Sequence, residues 1–204
     1  MLTLIPNPSL IPSNILARIV ACAPFADPTS TDTMGGVRVA TQNGNIVVAA
    51  TDGVVLIEET FRACDHNFAM PENSEFILSR DSIHKLKKFL AAIGKNMVPV
   101  DLEFLPDMPG IILAHKSESV TLTCVKGTFP NYYVALYRPA EKTQPGTFAV
   151  NIRLASLFDK AWSLGAKGSA PVMFEWNGFG FRVRPVGPDA ILRIGFIMPI
   201  TLPT

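Results

Sequence analysis

The chain has 204 residues, 48% of them hydrophobic and 17% charged, with a net charge of +1. This is enough apolar material for one large or two small packed domains, and too little charge of either sign for a disordered or histone-like chain. Whole-chain charge therefore says nothing about partners.

In chain order, Ser13 or Asn14 is expected to cap a first helix whose apolar stripe is Ile15, Leu16, Ile19, Val20 and Ala23, ended by Pro24. The polar stretch Asp27 to Thr33 reads as a loop. Strands follow at Val37-Arg38-Val39 and Ile46-Val47-Val48, joined at Asn43-Gly44, since Asn-Gly between β-branched runs is a strong hairpin signal. Thr51-Asp52-Gly53 makes the next turn, and a third strand runs from Val54 towards Phe61. The order then repeats. Phe76-Ile77-Leu78 is a short strand, Ser79 a cap, and Ile83, Leu86, Leu90 and Ile93 the buried stripe of a helix ended by Gly94. Strands are expected over Asp101 to Leu105, Ile111 to His115 and Ser119 to Val125.

Gly127-Thr128-Phe129-Pro130-Asn131-Tyr132 interrupts the strands as a hinge, with Phe129 anchored in the preceding domain, and Arg138 to Gly146 reads as a linker. The order then appears a third time. Phe148-Ala149-Val150 is a strand, Asn151 a cap, and Leu154, Leu157, Phe158, Ala161 and Leu164 a helical stripe stopping near Gly165. Val172 to Trp176, Phe179 to Arg184 and Ala190 to Ile197 are strands, the first two joined at Asn177-Gly178. The expected fold class is α+β, with three strand-helix-three-strand units that share no obvious residue identity. Antiparallel sheets form one layer and helices pack on their other face. The expected domains are residues 1–130 as two units, 131–146 as hinge and linker, and 147–204 as one unit.

The helical segments carry Arg18, Arg80, Lys85, Lys87, Lys88, Arg153, Lys160 and Lys167 against Asp81 and Asp159, a surplus of six positive charges. The rest of the chain is therefore acidic. Helices facing a phosphate backbone would need such segregation, although lysine and arginine are also simply good helix formers.

Four stretches, in order and each at its expected structural position, resemble the bacterial replicative sliding clamp, the β subunit of DNA polymerase III. They are Gly36-Val37-Arg38-Val39 with Asn43-Gly44 and Ala50-Thr51-Asp52-Gly53; Phe76-Ile77-Leu78-Ser79-Arg80; Gly127 to Tyr132; and Ile197-Met198-Pro199-Ile200. The chain looks like the middle domain of that clamp plus a shortened final domain. The resemblance implies a DNA-clamp-like fold whose helices line a ring threaded by double-stranded DNA without sequence preference. It also implies a hydrophobic pocket that takes a short peptide motif shared by DNA polymerase, the clamp loader and repair proteins. Carried over to this sequence, the pocket uses Met34, Thr51, Gly53, Leu56, Pro130, Val134, Met198, Pro199 and Ile200. Leucine and phenylalanine anchors of such a peptide need a concave apolar site, and methionine repacks around varied ligands.

This chain departs from the family pattern by carrying Val54-Val55 after Thr-Asp-Gly where the family has His-Arg. Val134 and Thr201 likewise stand where it has basic residues, so the pocket rim loses charge. Arg18, Lys85, Lys87, Lys88, Arg153 and Lys160 are the DNA-facing candidates, their contacts directed at the backbone. With three units where the clamp chain has six, four chains would give a homo-oligomeric ring. A protein-binding module or decoy that does not encircle DNA is the alternative.

Other chemistry is poorly supported. Cys22, Cys64 and Cys124 offer neither a disulfide framework nor a metal knuckle and suit a reducing cytoplasm. Cys64-Asp65-His66 places a nucleophile beside a base in sequence, where neighbouring side chains rarely meet. The three histidines are too dispersed for a metal site. Glu58, Glu59 and Asp101 read as a solvated sheet face. No membrane span, signal peptide or cofactor is expected, and the function is expected to be non-enzymatic.

Overall fold

The computed structural model describes residues 9–62, 65–66, 68–94, 96–137, 149–163, 171–187 and 192–199. The Arg138 to Gly146 linker, Cys64, Phe148, Leu164, Gly165, Lys167, Ile200 and Thr201 lie outside these residues. No helix among the described residues is long and apolar enough to cross a membrane.

The first unit runs β1 (Ser9–Pro12), α1 (Ser13–Cys22), β2 (Val37–Gln42), β3 (Asn45–Thr51) and β4 (Val55–Arg62). The second is β5 (Glu75–Leu78), α2 (Arg80–Ile93), β6 (Pro99–Phe104), β7 (Gly110–His115) and β8 (Glu118–Thr123). The hinge is followed by a five-residue helix, α3 (Tyr133–Tyr137), then by α4 (Ile152–Trp162), β9 (Val172–Trp176), β10 (Phe181–Pro185) and β11 (Arg193–Ile197). Helix α3 is too short to show a periodic stripe in sequence.

Local chemistry explains most of the boundaries. Asn43 and Gly44 both have positive φ (52° and 72°), as a two-residue type I′ hairpin requires. The Ser79 hydroxyl accepts from the Ser82 amide to cap α2, the Asn151 carboxamide accepts from the Arg153 amide to cap α4, and Gly94 ends α2 with φ at 89°. Helix α1 differs from expectation. It begins directly after strand β1 with Pro12 at the cap position and no side-chain cap, and the Ser13 hydroxyl instead bonds Asn96 O and Val98 N across to the second unit.

Two antiparallel sheets result, ordered β1-β6-β7-β8 and β5-β2-β3-β4-β11-β10-β9. The first two units exchange their leading strands: β1 pairs with β6, and β5 with β2. The seven-stranded sheet continues through β4 and β11, where Val55 to Glu59 lie opposite Ile197 to Arg193. Helix α1 packs between α2 and α4 on one side of the sheets. The main core lies between helices and sheets, and a smaller one lies on the opposite face beneath the hinge and α3, built from Ala49, Leu56, Ile77, Phe129, Tyr132, Leu136, Ile194 and Phe196. Phe129 is buried in this smaller core, which joins residues of the first two units to Ile194 and Phe196 of β11.

Candidate peptide pocket and basic helix face

The β4–β11 junction carries a cavity of about 360 Å³ on the outer face of the sheet. Five chain segments meet there. The β3–β4 turn supplies Thr51, Gly53 and Val54, and it is held rigid by its own polar groups: the Thr51 hydroxyl bonds Val55 O (2.8 Å) and Gly53 N (3.0 Å), while the Asp52 carboxylate accepts from the Val54 and Val55 amides. Gly53 has φ at 89°, so a side chain there would strain the turn. Strand β11 supplies Phe196 and leads into Met198, whose amide bonds Val54 O at 2.9 Å. Pro130, Tyr132, Val134 and Ala135 form the hinge wall, and Phe179 closes the site from the β9–β10 turn. Met34 enters from a 3-10 turn that Asp32 caps.

The floor, made by Leu56, Tyr132 and Phe196, is buried, whereas the rim residues Val54, Val134, Phe179 and Met198 are exposed. An exposed apolar rim over an apolar floor gains free energy by excluding water from a nonpolar ligand.

Several polar contacts hold the hinge wall in place. Arg38, bonded to Glu75, donates to the Tyr132 hydroxyl at 3.2 Å; Tyr133 donates to Gln42 at 2.9 Å; and Tyr137 donates to Glu58. The fully buried Asn177 bonds Ala135 O at 2.5 Å while its carbonyl accepts from the Phe179 and Gly180 amides, tying the β9–β10 turn to α3. Burial, with the Glu58 carboxylate nearby, pushes both Tyr132 and Tyr137 well above the ordinary phenol range, so both hydroxyls stay neutral.

Of the expected pocket residues, Met34, Thr51, Gly53, Leu56, Pro130, Val134 and Met198 line this one cavity. Pro199 is half-buried beside Met198 and outside the lining, and Ile200 lies beyond the described residues. Sequence reasoning missed Tyr132, Ala135, Phe179 and Phe196 as lining residues. Phe179, an aromatic residue directly after the Asn177-Gly178 turn, was the available signal.

The basic candidates divide. Lys85, Lys87 and Lys88 are exposed on α2, and Arg153 and Lys160 on α4; among the described residues no salt bridge engages any of them. Arg18 is a correction. It is buried at 7% exposure, its guanidinium facing the Glu59 carboxylate with Nε to Oε2 at 2.7 Å. It points into the core because α1 buries it against β4. Glu58 and Glu59 are corrections too: both are buried, one under Tyr137 and the other against Arg18, and only Asp101 is exposed as expected. In the Cys64-Asp65-His66 stretch, Asp65 pairs with Arg62 and the His66 ring packs edge-on against Phe61.

This arrangement, with exchanged leading strands, helices in one layer and continuous antiparallel sheets, is that of the DNA-clamp fold. No protein-family model and no curated protein matches the sequence. Solved structures do. The β subunit from DNA polymerase of Streptococcus pyogenes superposes with a TM-score of 0.73 at 14% identity, over 99% of this chain and 68% of that one. The Pseudomonas aeruginosa sliding clamp (DNA polymerase III subunit β) bound to griselimycin gives 0.70 at 16% identity, over 99% and 68%. The Bacillus subtilis DNA polymerase sliding clamp gives 0.70 at 13%, over 100% and 67%. The chain thus spans about two thirds of these clamps, and what it shares with them is the fold.

Proposed function

We propose that this protein is a sliding-clamp-like tethering factor that captures partner proteins through the β4–β11 pocket while its helix layer faces double-stranded DNA. Its chain is read as a complete middle-type domain followed by half of a final-type domain. The observation that carries the reading is the apolar cavity into which Met34, Thr51, Leu56, Pro130, Val134 and Met198 converge from distant parts of the sequence. The role is non-enzymatic, and the partners are DNA polymerases, clamp loaders or repair proteins with a leucine- and phenylalanine-bearing motif. Among the described residues the pocket lining carries no basic side chain, so binding rests on apolar burial, at about 1.5–3 kcal/mol per fully buried anchor.

A fluorescent peptide carrying such anchors is expected to bind with an affinity insensitive to salt. The Pro130→Ala/Met198→Ala protein should lose that binding by at least tenfold while its melting temperature stays close to the parent's. Binding unchanged by both substitutions would remove the pocket from consideration.

The DNA half of the reading has its own test. Backbone contacts release counterions, so Lys85→Ala/Lys88→Ala should weaken binding equally on unrelated duplexes and flatten the slope of log affinity against log salt by about two units. An unchanged slope with retained peptide binding would favour the module that does not encircle DNA.

A further inference from the structure

A second cavity, of about 330 Å³, lies between the end of α1, the first two turns of α2 and the loop that joins α1 to β2. It shares no lining residue with the β4–β11 pocket. Its walls are built by local chemistry. A 3-10 turn, Ala23–Phe25, with Pro24 inside it, carries the chain out of α1 and into the loop. The loop is then tied back twice: the Asp27 amide donates to Met34 O at 2.9 Å, and the Arg80 guanidinium on α2 donates to Pro28 O. Walls held in this way spare a ligand the entropy of ordering them.

The floor is apolar. Val37, at 0% exposure, and Ile83, at 7%, close it, and the half-buried Val20 and Ala23 flank it from α1. The mouth has the opposite character. Arg80, Ile83, His84 and Lys87 stand at i, i+3, i+4 and i+7 of α2, one stripe of its surface. A guanidinium, an imidazole and an ammonium, all on exposed residues, are thereby gathered beside one apolar cleft. Among the described residues no salt bridge engages Arg80 or Lys87. Asp27 is the one acidic side chain among the described lining residues, and its Oδ1 already accepts from the Thr29 amide at 2.8 Å and the Thr29 hydroxyl at 2.7 Å.

We infer that this cleft binds a small organic carboxylate, its apolar body on Val20, Ala23, Val37 and Ile83 and its charged end on Arg80 and Lys87. Size sets the first limit, since the volume falls at the lower end of the range of about 300–1,000 Å³ that small-molecule sites occupy. Charge sets the second. A guanidinium has five N–H donors in a fork that matches a carboxylate, and bonding Pro28 O leaves others for a ligand. A duplex phosphate resting on the mouth would meet the cations and leave the apolar floor in water, whereas an amphipathic anion covers both. The site stands apart from the peptide and DNA readings.

Octanoate is the probe. In a methyl-detected NMR titration of the full chain it should shift the signals of Val20, Val37 and Ile83 and leave those of Leu56 and Met198 unmoved. Octanol keeps the chain without the charge, and acetate keeps the charge without the chain; each should bind at least tenfold more weakly. Arg80→Gln/Lys87→Gln, at two exposed positions, should weaken octanoate at least tenfold and leave octanol unchanged. Ala23→Phe should fill the cleft and abolish octanoate binding at an unchanged Arg80 and Lys87. Unmoved Val20 and Ile83 signals would overturn the inference. So would octanol binding as tightly as octanoate, or shifts centred on Leu56 and Met198, which would put the probe in the β4–β11 pocket. Octanoate affinity indifferent to Arg80→Gln/Lys87→Gln would overturn it too, and a loss of duplex binding in that same variant would give the two cations to DNA instead.

Discussion

Replacing Glu59 with alanine is expected to cost roughly 3–5 kcal/mol of unfolding free energy, because a buried ion pair that loses one partner strands the other charge away from water. The Glu59 side chain is 1% exposed and that of Arg18 8%, and Arg193 lies opposite Glu59 on β11. The carboxylate thus sits between a helix of the first unit and a strand of the third. The pair itself need not be net stabilising, since its desolvation offsets much of its attraction. Arg18→Met/Glu59→Leu should therefore recover most of the loss. Denaturant unfolding of the three proteins measures both numbers. A loss below about 1 kcal/mol for Glu59→Ala would mark the pair as solvated. In that case Arg18 would return to the DNA-facing candidates.

Gly195→Ala is expected to destabilise by about 1–3 kcal/mol through overpacking at the same junction. A β-carbon at Gly195 would stand 2.0 Å from Cε1 of Phe158 and 3.0 Å from Leu56 O. The Phe158 ring cannot easily retreat, being fully buried between Phe25 and Trp162 with ring centres 4.8 and 4.9 Å away. The loss should be coupled to Phe158. In a double-mutant cycle with Phe158→Leu, the two substitutions should together cost less than their sum, as expected for side chains in contact. Strict additivity would show that the helix and strand adapt independently. Because β11 carries Phe196 and leads to Met198, loosening it should also weaken the proposed peptide capture.

Most of the elements could be read from the sequence because their signals are local. The hairpin at Asn43-Gly44, the caps Ser79 and Asn151, the stop at Gly94 and the stripe Ile83, Leu86 depend on backbone conformation and periodicity within a few residues. The pocket residues came instead from short stretches resembling a family, and seven of the nine meet at one cavity. Its remaining wall was hidden, since Tyr132 and Ala135 lie in or beside a helix too short to show a period, and Phe179 depends on how Asn177 bonds α3.

Charge was where sequence reading failed. Arginine on a helix and adjacent glutamates on a strand look like solvated faces when counted along the chain, yet Arg18, Glu58 and Glu59 are all buried. By itself the sequence determined the order of helices and strands, the turns that join them and the apolar stripes that must be buried, because each follows from interactions among near neighbours. Only the tertiary structure decided which leading strand pairs with which unit, that β4 continues into β11, and which charges face inward. Those outcomes depend on partners more than thirty residues away, such as Glu59 for Arg18 and Tyr137 for Glu58, whose contact no local pattern encodes.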